Sequence, residues 1–285
     1  MATEAQIRLA YEFFTDDNMS SYTSQVATME ASKTMNSQPS IVWRSTTHTV
    51  GSIPDQEFVY NLTTLRPISF VLIYNNNLSL DSTVQVIIAT DAAFTNQVYN
   101  NTWTGTDPIY GYGEQFYGLT GYGGYDDEGF VFPFFAKYFD MVVGQYIKII
   151  ISNSSNSDGF IQAGRIACGS YFEPEFNINW GYSLSFEDLS KQTDMRNAGI
   201  RTEVLGNRRI MNMSHDRLLL ADELELVRMR QVAGKDKNVF VSIYQGDGST
   251  QEQIHTLLGF LTTDLQFTEN SVNFRSTSLT IKEAK

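Results

Sequence analysis

Ser69-Phe70-Val71-Leu72-Ile73-Tyr74, closed by Asn75-Asn76-Asn77, is the stretch that decides the fold. It carries no charge and is apolar on both faces, as a central sandwich strand covered above and below must be. The asparagines then turn the chain, because Asn tolerates left-handed backbone and bonds its own main chain. Working outward, Phe58, Tyr60 and Leu62 alternate on one face of a strand, and Val84, Val86 and Ile88 do the same within 83–89. Residues 145–151 and 160–167 add two further apolar runs, separated by the turn-rich segment 152–159. Short strands broken by turn clusters, without helical period, predict an antiparallel β-sandwich.

The bulk numbers agree with this reading. A chain of 285 residues favours two domains over one large core. Hydrophobic residues at 42% against 18% charged are enough to build that core, and 15 Tyr with 19 Phe tilt the class toward β-structure. The net charge of −12, with no basic run longer than Arg208-Arg209, argues against nucleic acid as a partner and against anionic membranes. One cysteine, Cys168, excludes an internal disulfide framework. The N-terminal residues lack the layout of a signal peptide, and no apolar run approaches the roughly 20 residues that span a bilayer. Synthesis in a reducing cytoplasm, with no membrane insertion, is the expectation.

Composition changes near residue 172, which sets the expected domains at 1–172 and 173–285. Residues 207–219 read as a strand with Met211, Met213 and Leu219 on one face. Residues 221–233 then place Leu224 with Val227, and Leu226 with Met229 and Ala233, at helical spacing. Asp222 and Glu223 near the start, Arg228 and Arg230 toward the end, and Gly234 as a stop complete a helix signature. Strands are expected at 239–244, 256–263 and 273–281. The fold class predicted is therefore mainly β, an N-terminal β-sandwich followed by a smaller β-sandwich or α+β domain with one packed helix. Residues 6–40 are polar and weakly patterned.

The segment 105–129 departs from all of this. Its 25 residues hold 8 of the 20 Gly, plus Tyr110, Tyr112, Tyr117, Tyr122 and Tyr125, and Trp103 stands at its base. It reads as a long loop, and loops of that length are functional or disordered. Tyrosines offer flat apolar faces with a polar handle, suited to a protein partner or to a sugar. Trp103 and these five tyrosines are the candidate contact residues for a partner or glycan, a mobile loop without a role being the rival reading.

Two sequence features resemble known families. The run Ile41-Val42-Trp43-Arg44-Ser45, then 58–62, then Arg66 through Leu78, with closing strands at 146–151 and 158–169, resembles discoidin-like, galactose-binding-type jelly rolls. Phe172-Glu173-Pro174 through Asn179-Trp180-Gly181 to Asp188 resembles the join in bacteriophage tail proteins, where a jelly roll leads into a tail-tube or distal-tail-like domain. This resemblance implies a virion tail or baseplate component, assembling as a ring or adaptor, a homo-oligomer of three- or six-fold symmetry contacting other tail proteins. The alternative it leaves open is a carbohydrate-binding module that adsorbs to a host surface glycan.

Catalytic and metal signals are sparse. His48, His215 and His255 lack zinc spacing, no Gly-x-Ser-x-Gly elbow is present, and Cys168 reads as an inert core residue. His215, at a strand–helix junction, is expected at the surface or hydrogen-bonded. Asp126-Asp127-Glu128 form the best acidic cluster: a solvated loop tip first, a Ca²⁺ ligand set second, a glycosidase pair last. Trp43 and Trp180 read as core anchors. A protein without catalytic residues or cofactor is the expectation.

Overall fold

The computed structural model describes residues 6–16, 18–79, 81–104, 134–179, 181–194, 200–244, 250–271 and 273–284. In chain order the elements are β1 (Arg8–Phe13), β2 (Met19–Tyr22), a short 3-10 helix (Ala31–Met35), β3 (Trp43–Arg44), β4 (Gln56–Asn76) and β5 (Thr83–Ala89). Next come β6 (Gln97–Thr104), β7 (Phe134–Ser152), β8 (Gln162–Phe172), β9 (Ser183–Asp188), β10 (Lys191–Asp194) and β11 (Ile200–Glu203). β12 (Asn207–Leu218), α1 (Leu220–Ala233), β13 (Asn238–Ser242), α2 (Thr250–Ile254), β14 (Thr256–Leu261), β15 (Thr268–Glu269) and β16 (Arg275–Glu283) complete the chain. The fold is mainly β, as the alternating runs predict. No helix among the described residues is long and apolar enough to cross a membrane.

Two compact units emerge, and neither is continuous in sequence. The first comprises Glu12–Tyr171 with Tyr244–Ile254; the second comprises the residues up to Tyr11 with Phe172–Ile243 and His255–Lys285. The divisions fall after Tyr11, Tyr171, Ile243 and Ile254.

The first unit is organised by two very long strands. The expected strands at 58–62 and 69–74 are halves of one strand, β4, of 21 residues. β4 pairs antiparallel with β7 along most of its length, with irregularities between Asn61 and Arg66 and between Ile68 and Phe70. Thr63 sits at that crease with a φ of 61°, a left-handed backbone rare for a β-branched residue, and its N–H is capped by Asn61 Oδ1 at 3.0 Å. Before the crease, β4 pairs with β2, and the matching half of β7 pairs with β5, which carries β6 at the edge. Beyond it, β4 pairs with β8, which carries β3. The strands thus change sheets at a bulge, the device that corners a sandwich. The two inner faces meet in one buried cluster: Phe58, Tyr60 and Leu62 from one half of β4, Ile68, Val71 and Ile73 from the other, with Ile147, Ile149 and Ile151. Trp43 and Cys168 are fully buried there, as expected; Trp43 meets Phe58 edge to face at 4.7 Å. Trp180 lies outside the described residues.

The second unit is an antiparallel sheet in the order β1, β13, β14, β16, β12, β9, in which Arg8–Ala10 is the part of β1 concerned. α1 buries Leu226, Met229 and Ala233, while Leu224, on the other side of the expected stripe, is exposed. The helix stops at Gly234, whose φ of 57° with ψ of −135° is a backbone conformation that glycine adopts without the clash a side chain would meet. Arg209 and Glu283 lie opposite each other on β12 and β16, almost fully buried, joined by Nη2–Oε1 at 2.7 Å and a backbone N–H bond at 2.9 Å. His215 corrects the surface expectation: it is buried within β12 at 2% exposure, and burial lowers its pKa to about 4. The stretch read as weakly patterned contains β1, and 191–203 contains a two-stranded hairpin, β10 with β11, that the sequence reading did not foresee.

Candidate functional site

The first unit carries a groove beside β2, about 270 Å³ in volume, lined by side chains from β2, the loop after it and the 3-10 helix. How the chain arrives there follows from local bonding. β2 runs antiparallel to the first half of β4, with Met19 opposite Tyr60 and Tyr22 opposite Phe58. The chain then turns at Val26–Met29, closed by a bond of 2.8 Å from Met29 N–H to Val26 O. Val26 N–H and Met29 O both bond Arg44 of β3, which ties the turn to the sandwich. Gln25 Oε1 accepts Ala31 N–H at 2.8 Å and so satisfies a donor at the start of the 3-10 helix. Trp43 Nε1–H donates to Ser24 O at 3.0 Å, and Ser24 Oγ–H donates to Gln56 Oε1 at 2.6 Å.

The far end of the helix is held by a buried cation. Arg165 on β8, 2% exposed, donates to Met35 O and pairs with Asp16 at 2.8 Å, its guanidinium over the Phe13 ring. Just beyond, Pro39 O accepts Asn75 Nδ2–H at 2.8 Å and crosses Gly164 so closely that a Cβ there would lie 2.1 Å from that oxygen. Only glycine admits this approach.

The groove has three kinds of surface. Met19 and Met35 form an apolar floor, each packed against the sandwich core. Tyr22 stands at the rim, 44% exposed although tyrosine usually hides most of its ring. Ser20, Gln25, Glu30 and Ser32 supply hydroxyl, amide and carboxylate groups. An apolar floor with a few convergent polar groups is the composition of a small-molecule site, though the volume falls just below the roughly 300–1,000 Å³ such sites span.

Trp103 lies elsewhere in the same unit. It is half-buried on the inner face of β6, opposite Val84, and belongs to an aromatic row. Tyr99 stacks on Phe139 at 4.3 Å and 19°, while Trp103 lies 6.3 Å from Phe139 and 6.2 Å from Phe135. Burial pushes the Tyr99 phenol above its ordinary pKa, aided by the charge of Asp140 and opposed by a bond from Asn101. The other candidate contacts, Tyr110, Tyr112, Tyr117, Tyr122 and Tyr125, and the candidate Ca²⁺ ligands Asp126, Asp127 and Glu128, lie outside the described residues. The structure thus brings Trp103 together with aromatics the sequence reading did not name. It also assembles a groove in a segment where isolated Met19, Tyr22 and Met35 amid polar residues were the only signal.

Reactive side chains are placed for structure. Burial raises the Cys168 thiol far above its usual range. His48 meets Thr46 Oγ1 at 2.9 Å on the surface, and His255 meets the Tyr182 hydroxyl at 2.9 Å. Among the described residues, no three His, Cys, Asp or Glu side chains converge as a metal site.

No family model matches the chain, and no curated protein matches it. Solved structures do. A chitosan-binding module of a chitosanase/glucanase from Paenibacillus sp. IK-5 shares 12% identity, with a TM-score of 0.37 over 56% of this chain and 99% of that one. A Streptococcus pneumoniae fucose binding module shares 12%, at 0.36 over 56% and 95%. The family 32 CBM of C. perfringens NanJ, in complex with galactose, shares 17%, at 0.36 over 56% and 98%.

Proposed function

We propose that the protein is a non-catalytic carbohydrate-binding protein whose Glu12–Tyr171 unit takes a saccharide in the groove between β2 and the 3-10 helix. The observation that carries this is the lining: an exposed tyrosine ring beside a methionine floor, ringed by hydroxyls and an amide. A sugar ring has apolar C–H faces and a polar circumference. Tyr22 and the methionines meet the former, and Ser20, Gln25 and Ser32 meet the latter. The groove is shallow and small, which suits one end of a glycan chain. Binding is the whole activity in this reading: Glu30, the carboxylate of the groove, meets Ser32 Oγ at 3.4 Å, longer than the reach of a base poised on a nucleophile.

A glycan array followed by titration calorimetry on the full chain tests it. Binding should weaken at least about tenfold, or ~1.4 kcal/mol, in Tyr22→Ala, with the fold intact by circular dichroism. A glycan that binds Tyr22→Ala as tightly as the native chain would place the site elsewhere and end this reading. The tail or baseplate role rests on sequence resemblance alone, whereas the three solved structures named above are carbohydrate-binding modules.

A further inference from the structure

We infer that the groove selects by charge: it takes a saccharide bearing a protonated amine and turns away acidic sugars, with Glu30 as the specificity-determining residue. This rests on the groove being a saccharide site. Of its lining side chains, Glu30 is the one carboxylate, and none is a Lys, Arg or His. The nearest cation along the helix, Lys33, does not line the groove; its ammonium is bonded to the Thr28 carbonyl in the preceding turn. Among the described residues Glu30 Oε2 accepts a single long bond, from Ser32 Oγ at 3.4 Å, so the carboxylate keeps most of its acceptor capacity for a ligand.

A carboxylate can accept from a sugar hydroxyl, but a bond from an ammonium is charge-assisted and roughly twice as strong. An N-acetylated sugar forfeits that gain, and a uronic acid meets repulsion in its place. The net charge of −12 adds a weak field of the same sign, which salt screens while leaving a direct contact largely intact. The specificity is therefore local, and one side chain controls it.

The test is titration calorimetry of the full chain, at moderate salt, against three oligomers of equal length: glucosamine with free amines, its fully N-acetylated form, and galacturonic acid. The free-amine oligomer should bind a few-fold tighter than the acetylated one, and the acid should bind weakest of the three. Glu30→Gln should bring the first two together, while Tyr22→Ala weakens both. Equal affinity in the native chain overturns the inference, and so does a preference that survives Glu30→Gln, because it reports only overall charge. Failure of the groove reading looks different. No oligomer then shifts the Met19 and Met35 methyl resonances, or binding persists in Tyr22→Ala.

Discussion

The groove beside Tyr22 and the aromatic row of Tyr99, Trp103, Phe135 and Phe139 belong to the same unit and use the same kind of side chain to different ends. In the row, each ring spends a face on another ring: Tyr99 on Phe139, Trp103 between Phe139 and Phe135. Those contacts extend the core along the edge strand β6, and the partly exposed remainder is what any edge leaves over. Among the described residues Tyr22 has no ring contact of this kind, and it stands 44% exposed in a groove it shares with Met19 and Met35. Aromatic content alone therefore does not locate a binding surface. A ring is available to a ligand when the chain has not already stacked something on it.

This contrast can be broken or sharpened by experiment. The largest effect should come from Trp43→Ala. It removes a fully buried indole and the bond to Ser24 O that holds the groove loop, so stability should fall by about 3–5 kcal/mol in denaturant titration. Binding should fall with it, and a groove that binds normally in this variant would mean the loop does not need its anchor. Acid comes next, through the second unit. His215 has a folded pKa of about 4 against 6.5 unfolded, so the unfolded state binds the proton first. Its stabilisation is complete above pH 6.5 and is lost as pH falls through 4, by about 3 kcal/mol. His215→Gln should flatten that slope, and a melt whose midpoint ignores pH between 7 and 4 would refute the assignment. Trp103→Ala should cost about 2 kcal/mol, less than a full burial, with saccharide affinity unchanged; a selective loss of binding would make the row a ligand platform after all. Smallest of all, Tyr22→Ala should shift stability by no more than about 0.5 kcal/mol, as an exposed rim residue does.

Much of the fold could be read before any coordinates. Alternation in 58–62 and 83–89, the uncharged run at 69–74 and the signature of α1 all name elements the structure contains, because a local period records which face is buried. The continuity of β4 could not be read. Thr63 to Pro67 fall between the two runs read as strands, and only the pairing of Arg66 with Gly144 and Ile68 with Val142 makes the strand continuous. The burial of His215 was missed for a similar reason, since it depends on what covers β12. The groove was nearly invisible. Met19 and Met35 lie on separate elements, and the cation that fixes one of them, Arg165, comes from β8, some 130 residues on. Trp103 was found because tryptophan is conspicuous, which says nothing about whether its faces are already taken.

The discontinuity of the second unit has a consequence for how the protein is made. Arg8 finds its strand partner at Ser242, so an early strand waits for one of the last. At roughly 5–20 residues per second, the ribosome takes on the order of 10–50 s to supply it. Through that interval Ile7 and Leu9, fully buried in the finished protein, lack β13 beside them and are open to chaperones or to neighbouring nascent chains.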